Sequence, residues 1–371
     1  MRILVTGGAG FIGSHLVDAL LARGHAVRVL DSLAPQVHGP HGARPAYLHR
    51  DAELQVGDVR DRAAVRRALD GVEVVFHEAA AVGVGQSMYE IERYVSTNAL
   101  GAAVLLEELV ERRAALRRVV VASSMSLYGE GAFRDASGAT VSPRLRTAAQ
   151  LAAHRFELED ERGRPLVPIP TPESKPLLPT SVYAVTKRDH EELFLAVGAA
   201  YGIPTVALRY FNTYGTRQSL SNPYTGVIAI FSSRLLNGNR PVIFEDGGQS
   251  RDFVHVSDVV AANLLAMERD AAVGGVYNVG TGRATSVRAI ADGLARELGV
   301  AIEPEIAGRF RAGDIRHCFA DPTAAARDLG FEARTPLAAG MRELLAWLRT
   351  QAPVDRVDQA RKELEARGLT R

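Results

Sequence analysis

The sequence predicts an α/β fold in which a doubly wound parallel sheet is joined to a smaller C-terminal α/β domain. Three observations support this prediction. Short apolar runs alternate with helical patterns through the first half of the 371 residues, as they do in βαβ units. A glycine-rich segment stands between the first apolar run and the first helical pattern. The composition, 47% hydrophobic and 23% charged, is that of a globular protein with a sizeable core.

The first half contains five strand-like runs, in order MRILVTG, HAVRVLD, AELQVGD, VEVVFHEAA and LRRVVVASS. Helical patterns lie beside them: SHLVDALLARG, AAVRRALDG and NALGAAVLLEELVERR. The regular pattern stops at residues 130–182, which are polar and contain six prolines between Pro165 and Pro179. It resumes with the helix SVYAVTKRDHEELFLAVGAAYG and the strand PTVALRY. Long irregular stretches are often functional, so residues 130–182 are either a surface insertion, a flap over a substrate or a subunit contact.

Charge and hydropathy exclude several classes of protein. A formal net charge of +1 argues against a nucleic-acid-binding protein. No apolar run approaches the roughly 18 residues of a membrane helix, and the N-terminus enters a strand at once, so a cytoplasmic location is expected. Cys318 is the single cysteine, which excludes an intramolecular disulfide and a cysteine-built metal site. We expect no metal.

Lysine is rare in this chain. Only three of the 44 basic residues are lysines, namely Lys175, Lys187 and Lys362. A lysine retained among so many arginines is a weak indication that a compact, titratable ammonium group is needed. Lys175 and Lys362 lie in polar surroundings and are expected at the surface, which directs attention to Lys187.

The segment GGAGFIG, residues 7–13, predicts a dinucleotide site. Gly7 permits a tight turn, Gly10 lets the backbone approach a pyrophosphate, and Gly13 allows close packing of helix on strand. The N–H groups at the start of the following helix would hold the phosphates. Because the segment directly follows a strand and directly precedes a helix, it indicates a Rossmann-type sheet.

Residues at the ends of the next strands indicate NAD as the cofactor. Asp31 ends the second strand, where a carboxylate accepts hydrogen bonds from the adenosine ribose and repels a 2′-phosphate. Asp58 ends the third strand, where it would either bond the adenine amino group or cap a turn. Ala79 and Ala80 end the fourth strand, and their small side chains would let a nicotinamide ribose approach.

The resulting domain prediction has three parts. Residues 1–212 form the NAD-binding domain, with the irregular insertion 130–182 and a completing segment at about 255–280. Residues 213–254 and 281–350 form the smaller substrate domain. Residues 351–371 form a charged helical tail.

A catalytic set is predicted where the fifth strand ends. Ser124 closes that strand, and Tyr183 and Lys187 form a Y-x-x-x-K pair whose spacing places both side chains on one helix face. A tyrosine with a reference pKa of about 10 is a poor base, but a nearby ammonium group and a positive nicotinamide favour its phenolate. A Y-x-x-x-K pair without other motifs is usually an ordinary structural pair on a helix surface. Here it follows a dinucleotide segment and a serine strand end, which predicts acid–base catalysis coupled to hydride transfer.

The sequence resembles the extended short-chain dehydrogenase/reductases, specifically the nucleotide-sugar epimerases and dehydratases, from Met1 to about Arg349. The resemblance rests on GGAGFIG, GDVRD, SSMSLYG, YAVTK, RYFNTYG, RDFVHVSD, YNVGTG and AGDIRHCFADP. It implies that Ser124, Tyr183 and Lys187 are catalytic. It also implies NAD contacts at Phe11, Ile12, Asp31, Asp58, Val59, Ala79 and Asn98.

The resemblance further implies that the smaller domain binds a nucleoside diphosphate sugar. The residues expected to contact this substrate are Ser124, Asn212, Arg217, Arg251, Arg311 and Asp314. Planar guanidinium groups suit a diphosphate. In relatives, helices corresponding to Asn98–Arg113 and Tyr183–Tyr201 pair between subunits, which implies a homodimer.

Two positions bear on the reaction. Relatives that remove water carry an Asp-Glu pair directly after the catalytic Ser/Thr, and this chain has Met125 and Ser126 there, so dehydration is disfavoured. C4 epimerisation remains the main expectation. An NAD(P)-dependent reductase of keto sugars and a non-catalytic NAD-binding protein remain alternatives.

The sugar is expected to be a 6-deoxyhexose. SSMSLYGEG with a long Pro-rich insertion, PTSVYAVTKRDHEE and SNPYTGVIAIFSSRLLNG resemble rhamnose-nucleotide 4-epimerases more than UDP-glucose 4-epimerases. This implies conversion of dTDP-L-rhamnose to dTDP-6-deoxy-L-talose. UDP-glucose/UDP-galactose and UDP-glucuronate stay as alternatives, because an apolar pocket rejects a hydroxyl only weakly.

Overall fold

The computed structural model describes residues 1–219, 222, 224, 226–311, 313–351, 355 and 357–370. Its centre is a seven-stranded sheet in the order β14-β9-β5-β4-β1-β2-β3, in which every neighbouring pair is parallel. The predicted doubly wound, Rossmann-type α/β fold is therefore confirmed. The strands are β1 (Arg2–Thr6), β2 (Ala26–Asp31), β3 (Glu53–Val56), β4 (Val74–His77), β5 (Arg118–Ser124), β6 (Ala132–Arg134), β7 (Thr140–Val141), β8 (Val167–Ile169), β9 (Thr205–Tyr210), β10 (Asn212–Tyr214), β11 (Val242–Ile243), β12 (Ser250–Arg251), β13 (Phe253–His255), β14 (Val276–Val279), β15 (Thr285–Ser286), β16 (Glu305–Ile306) and β17 (His317–Cys318).

Helices cover both faces of this sheet and build the smaller lobe. They are α1 (Phe11–Ala22), α2 (Pro35–His38), α3 (Arg62–Ala68), α4 (Val84–Ser87), α5 (Ile91–Tyr94), α6 (Gly101–Glu111), α7 (Ala148–Ala152), α8 (Val182–Tyr201), α9 (Val227–Leu236), α10 (Val256–Glu268), α11 (Val287–Leu298), α12 (Thr323–Leu329), α13 (Leu337–Leu348) and α14 (Val357–Ala366). A π-helical turn, Val95–Leu100, joins α5 to α6. None of the helices in the described part of the chain is long and apolar enough to cross a membrane.

The alternation of side chains along the strands divides the core into two layers. Along β1, Ile3 and Val5 pack in the cluster that includes residues of α1 and α10, whereas Leu4 packs in the cluster that includes residues of α3 and α6. Successive side chains of a strand point to opposite faces, so a strand that is apolar throughout needs helices on both sides. Because β1 pairs with β2 on one side and β4 on the other, the chain changes direction there and opens a crevice at the carboxyl ends of these strands.

The chain crosses between the two lobes more than once. After β10 it builds the smaller lobe, whose core is formed by α9, α11 and α13 through Phe231, Leu294 and Leu344. Between α9 and α11 the chain returns to the central sheet through α10 and β14. Strand β14 pairs with β9, which places Val276 opposite Ala207. Both lobes therefore border the crevice.

Residues 130–182 are more ordered than their composition suggests. Strand β6 pairs antiparallel with β7 and β8, and Phe133, Leu158 and Leu166 form a small apolar cluster. The expectation of an irregular stretch is thus wrong for these strands, because each is only two or three residues long and is held by pairing with distant residues. We call this segment, residues 130–182, the insertion.

Buried charges join the insertion to the smaller lobe. Arg146 Nη1 donates to Glu245 Oε2 at 2.9 Å, and Arg316 binds Glu245 and Glu157. The Glu130 carboxylate accepts the backbone N–H of Arg316 at 2.8 Å from each oxygen, and burial raises its pKa to about 7.

Lys175 was expected at the surface, and the structure contradicts this. Its side chain is buried, and Nζ donates to the carbonyl oxygens of Tyr128 at 2.9 Å and Pro176 at 3.0 Å. Burial lowers its pKa. The prolines around Lys175 prevent regular pairing, so free carbonyl groups are left for the ammonium group to satisfy. Lys362 is exposed, as expected.

Candidate active site

The glycine segment forms a cradle that only glycine fits. Gly7 has φ +69°, and a Cβ atom built there would lie 2.7 Å from the backbone N of Ala79. A Cβ atom on Gly13 would lie 2.7 Å from Cα of Gly8. Gly10 is the N-cap of α1, and no side chain caps the helix. The free N–H groups of Phe11 and Ile12 therefore face a close-packed turn that fits the pyrophosphate of NAD.

The Asp31 side chain is hydrogen-bonded to the backbone of the glycine cradle. Its carboxylate accepts the N–H of Ala9 at 3.0 Å and of Leu33 at 2.9 Å. The side chain stands at the carboxyl end of β2, directly beside the glycine turn, where the sequence predicts the adenosine ribose. A carboxylate has further lone pairs, so these two bonds leave room for a ribose hydroxyl.

Asp58 and Val59 both make contacts with other residues of the protein. The Asp58 carboxylate accepts Arg60 Nε at 3.0 Å and Nη2 at 2.7 Å, and this pairing lowers the pKa of Asp58. Val59 is buried, and a Cβ atom on Gly101 would lie 2.7 Å from its side chain. The turn-forming interpretation of Asp58 thus has direct support, and any adenine contact would share the carboxylate with Arg60.

Asn98 lies behind the end of β4. Its Oδ1 accepts the N–H of Ala81 at 2.8 Å, and its Nδ2 donates to the Ala81 carbonyl and to Thr186. The π-helical turn makes this possible because its wider ring aims the amide at the strand end. Asn98 therefore joins Ala81, the residue directly after Ala79 and Ala80 at the predicted nicotinamide position, to Thr186 of α8.

The catalytic set comes together at the start of α8. Ser181 caps this helix by accepting the N–H of Ala184 at 3.1 Å. Tyr183 then lies buried beside the end of β5. Burial raises its pKa, and the nearby Ser124 side chain partly counteracts this rise. Ser124 Oγ also accepts Ser126 Oγ at 2.9 Å. Strand end and helix start thus bring both predicted hydroxyl groups to one point.

Lys187 is placed differently from the expectation that its ammonium group directly favours the Tyr183 phenolate. Its Nζ donates to the Ala122 carbonyl at 2.5 Å and lies 3.3 Å from His190 Nδ1. Burial lowers its pKa to about 8, while Glu78 and Glu191 counteract this. The lysine is therefore oriented by β5.

Asn212 and three charged residues stand on the substrate side. The Asn212 amide oxygen is buried without a hydrogen-bond partner in the described structure, which marks a group available to a ligand. Arg311 Nε donates to Asp314 Oδ2 at 2.8 Å, and the Arg311 guanidinium lies 4.7 Å from the Phe244 ring centroid. Arg251 donates to the backbone carbonyls of Ser250, Ile315 and Arg316.

Arg217 does not join this group. Its Nη2 donates to Asp18 on α1 at 2.7 Å, and its guanidinium lies 5.6 Å from the ring centroid of Tyr47. Tyr47 in turn donates to the Ala9 carbonyl in the glycine turn. The structure therefore places Arg217 against α1 and the glycine turn and does not bring it together with Arg251 and Arg311.

Comparison with known proteins adds independent findings. Residues 3–158 and 162–280 match the NAD dependent epimerase/dehydratase family. A dTDP-L-rhamnose 4-epimerase of Burkholderia thailandensis is 38% identical over 350 residues, 94% of each chain. The UDP-glucose 4-epimerase of Thermotoga maritima, solved with UDP-glucose, has a TM-score of 0.77 at 33% identity over 94% of this chain and 99% of that chain. A UDP-glucuronic acid 4-epimerase from Bacillus cereus, solved with UDP-glucuronic acid and NAD, has a TM-score of 0.76 at 25% identity with the same coverage.

The chain belongs to the NAD-dependent epimerase/dehydratase family. The sequence-based predictions of an NAD-dependent isomerase and of NAD as its cofactor are confirmed. Within the family it belongs with the nucleotide-sugar 4-epimerases. The glycine cradle fits the cofactor that this assignment requires.

Sequence reasoning missed two residues of this epimerase that border the catalytic set. Glu78 directly precedes Ala79, accepts the Tyr210 hydroxyl at 2.8 Å, and has its pKa raised to about 7 by burial. Ser87 Oγ accepts the backbone N–H of Tyr183 at 3.0 Å. The signal for Glu78 was a charged residue directly after the buried run VEVVFH, whereas Ser87 gave no signal in the sequence.

Proposed function

We propose that this epimerase inverts C4 of a nucleoside diphosphate 6-deoxyhexose, converting dTDP-L-rhamnose to dTDP-6-deoxy-L-talose. The observation that carries the C4 chemistry is that Ser124, at the end of β5, and Tyr183, in the first turn of α8, are buried together, with Ser124 counteracting the rise in the pKa of Tyr183. The substrate assignment rests on the 38% identity to a dTDP-L-rhamnose 4-epimerase along 94% of each chain.

The roles of the side chains follow from their positions. When bound, NAD accepts a hydride from C4 of the sugar and returns it, so no cofactor is consumed. Tyr183 takes the proton of the C4 hydroxyl and later gives it back. Ser124 bonds the same sugar oxygen as its charge changes. Because burial raises the pKa of Tyr183, its phenolate would form only when positive charge is close. The nicotinamide ring of bound NAD would supply this charge, and Lys187, which bonds the Ala122 carbonyl of β5, would bond the nicotinamide ribose.

The residues after Ser124 support epimerisation over dehydration. Loss of water from C5 and C6 needs an additional acid and base. Met125 carries no ionisable group and is buried. The Ser126 hydroxyl donates a hydrogen bond to Ser124 Oγ, so neither residue supplies this acid or base. The 4-keto intermediate would therefore keep its C5 proton until the hydride returns.

We also propose that the nucleotide lies in the smaller lobe. Asn212, with its unpartnered amide oxygen, would meet the diphosphate, and the Arg311–Asp314 pair would hold the ribose and phosphates. The Arg251 guanidinium would add charge beside them. A location in the cytoplasm agrees with Cys318 being a buried free thiol.

The experiment compares kcat/KM for dTDP-L-rhamnose, UDP-galactose and UDP-glucuronate under identical conditions, with product stereochemistry determined by NMR. We expect at least a tenfold preference for dTDP-L-rhamnose, the difference that about 1.4 kcal/mol of transition-state binding gives. A preference for either UDP-sugar would overturn the substrate and leave C4 epimerisation in place. Stoichiometric consumption of added NADH or NADPH would instead identify a reductase.

A further inference from the structure

The C-terminal tail, which we define as the described residues within 355–370, lies beyond the part of the chain that matches the family at residues 3–158 and 162–280. It packs on the NAD-binding half. Glu363 Oε2 accepts the hydroxyl groups of Tyr89 at 3.2 Å and Tyr224 at 3.1 Å. The two hydroxyl oxygens are 2.5 Å apart. Leu364 is buried beside Gly85, where an added Cβ atom would lie 3.6 Å from its methyl carbon.

These contacts fall next to the catalytic set. Gly85 belongs to α4, the helix whose Ser87 accepts the backbone N–H of Tyr183. Tyr224 packs beside Gly83, where an added Cβ atom would lie 3.1 Å from the Tyr224 Cβ. The tail therefore lies over the loop that positions the catalytic tyrosine.

The other end of the tail lies at the candidate nucleotide-binding residues. Glu365 pairs with Arg309 at 2.5 Å, and Thr370 forms a β-bridge with Arg311, the candidate phosphate ligand. A cavity of about 400 Å³ is lined by Arg361 and Glu365 of the tail together with residues of the smaller lobe, among them Phe244. One short segment thus spans from the catalytic end of the crevice to its nucleotide end.

We propose that the C-terminal tail is part of the substrate site and closes over the nucleoside diphosphate sugar, with Glu363 as the contact that fastens it to Tyr89 and Tyr224. The inference rests on the proposed nucleotide-sugar function. Because the tail would contact both ends of the substrate, it would retain the nucleotide while the 4-keto sugar rotates to present its other face to the cofactor. Loss of the tail's contacts with Tyr89 and Tyr224 weakens substrate binding and leaves NAD binding unchanged.

The test measures binding of dTDP and UDP to the full-length, NAD-loaded protein by calorimetry. Glu363→Ala removes the acceptor of two hydroxyl groups and should weaken binding of the preferred nucleotide about tenfold. Glu363→Gln keeps an acceptor oxygen and should restore most of that affinity. Lys362→Ala, at an exposed neighbouring position on the same helix, is the matched control. Bound NAD should be equal in all four proteins.

A second measurement does not depend on the variants. Trypsin cleaves after Arg361, Lys362 and Arg367, so saturating dTDP or UDP should slow cleavage of the tail in the wild-type protein. Equal nucleotide affinity in Glu363→Ala, or cleavage unaffected by a nucleotide that binds, would overturn the tail's role while epimerase turnover still stands. A wild-type protein that binds and turns over none of the nucleotide sugars would overturn the proposed function, and the tail's role with it.

Discussion

At the scale of single residues, the site depends on hydroxyl groups whose protonation is set by burial. Tyr183, in the first turn of α8, lies between α4 and the end of β5, and this burial raises its pKa, while Ser124 counteracts the rise. Burial lowers the pKa of the adjacent Lys187 to about 8. Both shifts favour neutral side chains, so the charged pair needed for proton transfer has to be stabilised by substrate and cofactor. Proton transfer is thereby confined to the loaded site.

Replacing Tyr183 by Phe tests this account. The ring still packs against Tyr94, at 6.4 Å between centroids, but the proton carrier is gone. We expect kcat to fall roughly 10³-fold, within the range of general acid–base catalysis, and the NAD content of the purified protein to stay constant. The control is Tyr201→Phe at the exposed end of the same helix. A Tyr183→Phe enzyme with most of its kcat would remove this tyrosine from the mechanism.

At the scale of elements, ion pairs join the insertion to the smaller lobe, Arg146 to Glu245 and Glu157 to Arg316. Arg316 is 2% exposed in its side chain and bonds Glu157, Glu245 and Asp246. Glu245 is itself buried, with 4% of its side chain exposed. Breaking one side of a buried ion pair costs more than the pair contributes, because the remaining charge stays in a medium that solvates it poorly.

We expect Arg316→Met to lower the free energy of unfolding by about 2 kcal/mol, the contribution of a charged hydrogen bond, because Glu245 keeps Arg146 as a second buried partner. The estimate counts the buried bond to Glu245, since Glu157 and Asp246 are about half exposed and are screened by water. Urea unfolding measures the change, with Arg327→Met at an exposed ion pair as the control. A loss equal to that of the control would show that the buried Arg316–Glu245 pair does not stabilise the fold.

At the scale of the whole molecule, several large apolar side chains are exposed on two neighbouring helical elements. Large apolar side chains remain exposed along the π-helical turn and α8, namely Val95, Leu100, Val185, Leu193 and Tyr201. Exposed apolar residues gathered on neighbouring helices indicate a protein interface. We therefore propose that the epimerase is a homodimer that pairs through these helices, in the symmetric manner most homodimers use.

Leu100→Glu should convert the dimer to a monomer at micromolar concentration, because it would bury two like charges across a two-fold axis. Leu100 is 52% exposed in the single chain, so the fold of each subunit should be unaffected. Analytical ultracentrifugation gives the mass, and Val167→Glu, at an equally exposed site in the insertion, is the control. A wild-type monomer, or a Leu100→Glu dimer, would contradict the proposed interface.

The sequence by itself determined what depends on neighbours along the chain. The tight turn at Gly7, the packing at Gly13, the alternation along β1 and the shared face of Tyr183 and Lys187 follow from fixed periods of helix and strand. Such periods can be read without knowing which distant segments meet. The family resemblance extended this to NAD and to epimerisation.

Only the tertiary structure decided which distant groups meet. It placed Arg217 beside Asp18 of α1 and buried Lys175 against the carbonyl groups of Tyr128 and Pro176. Segments outside the described residues, including Ser221, Pro223 and Thr225 of SNPYTG and Ala312 of FRAGD, leave those parts of the motifs as sequence predictions. An arginine or lysine can pair with any carboxylate or carbonyl that the fold brings within reach, and local spacing carries no information about that choice. The position of the tail could not be predicted from the sequence for the same reason, since Glu363 contacts Tyr89, which is 274 residues away along the chain.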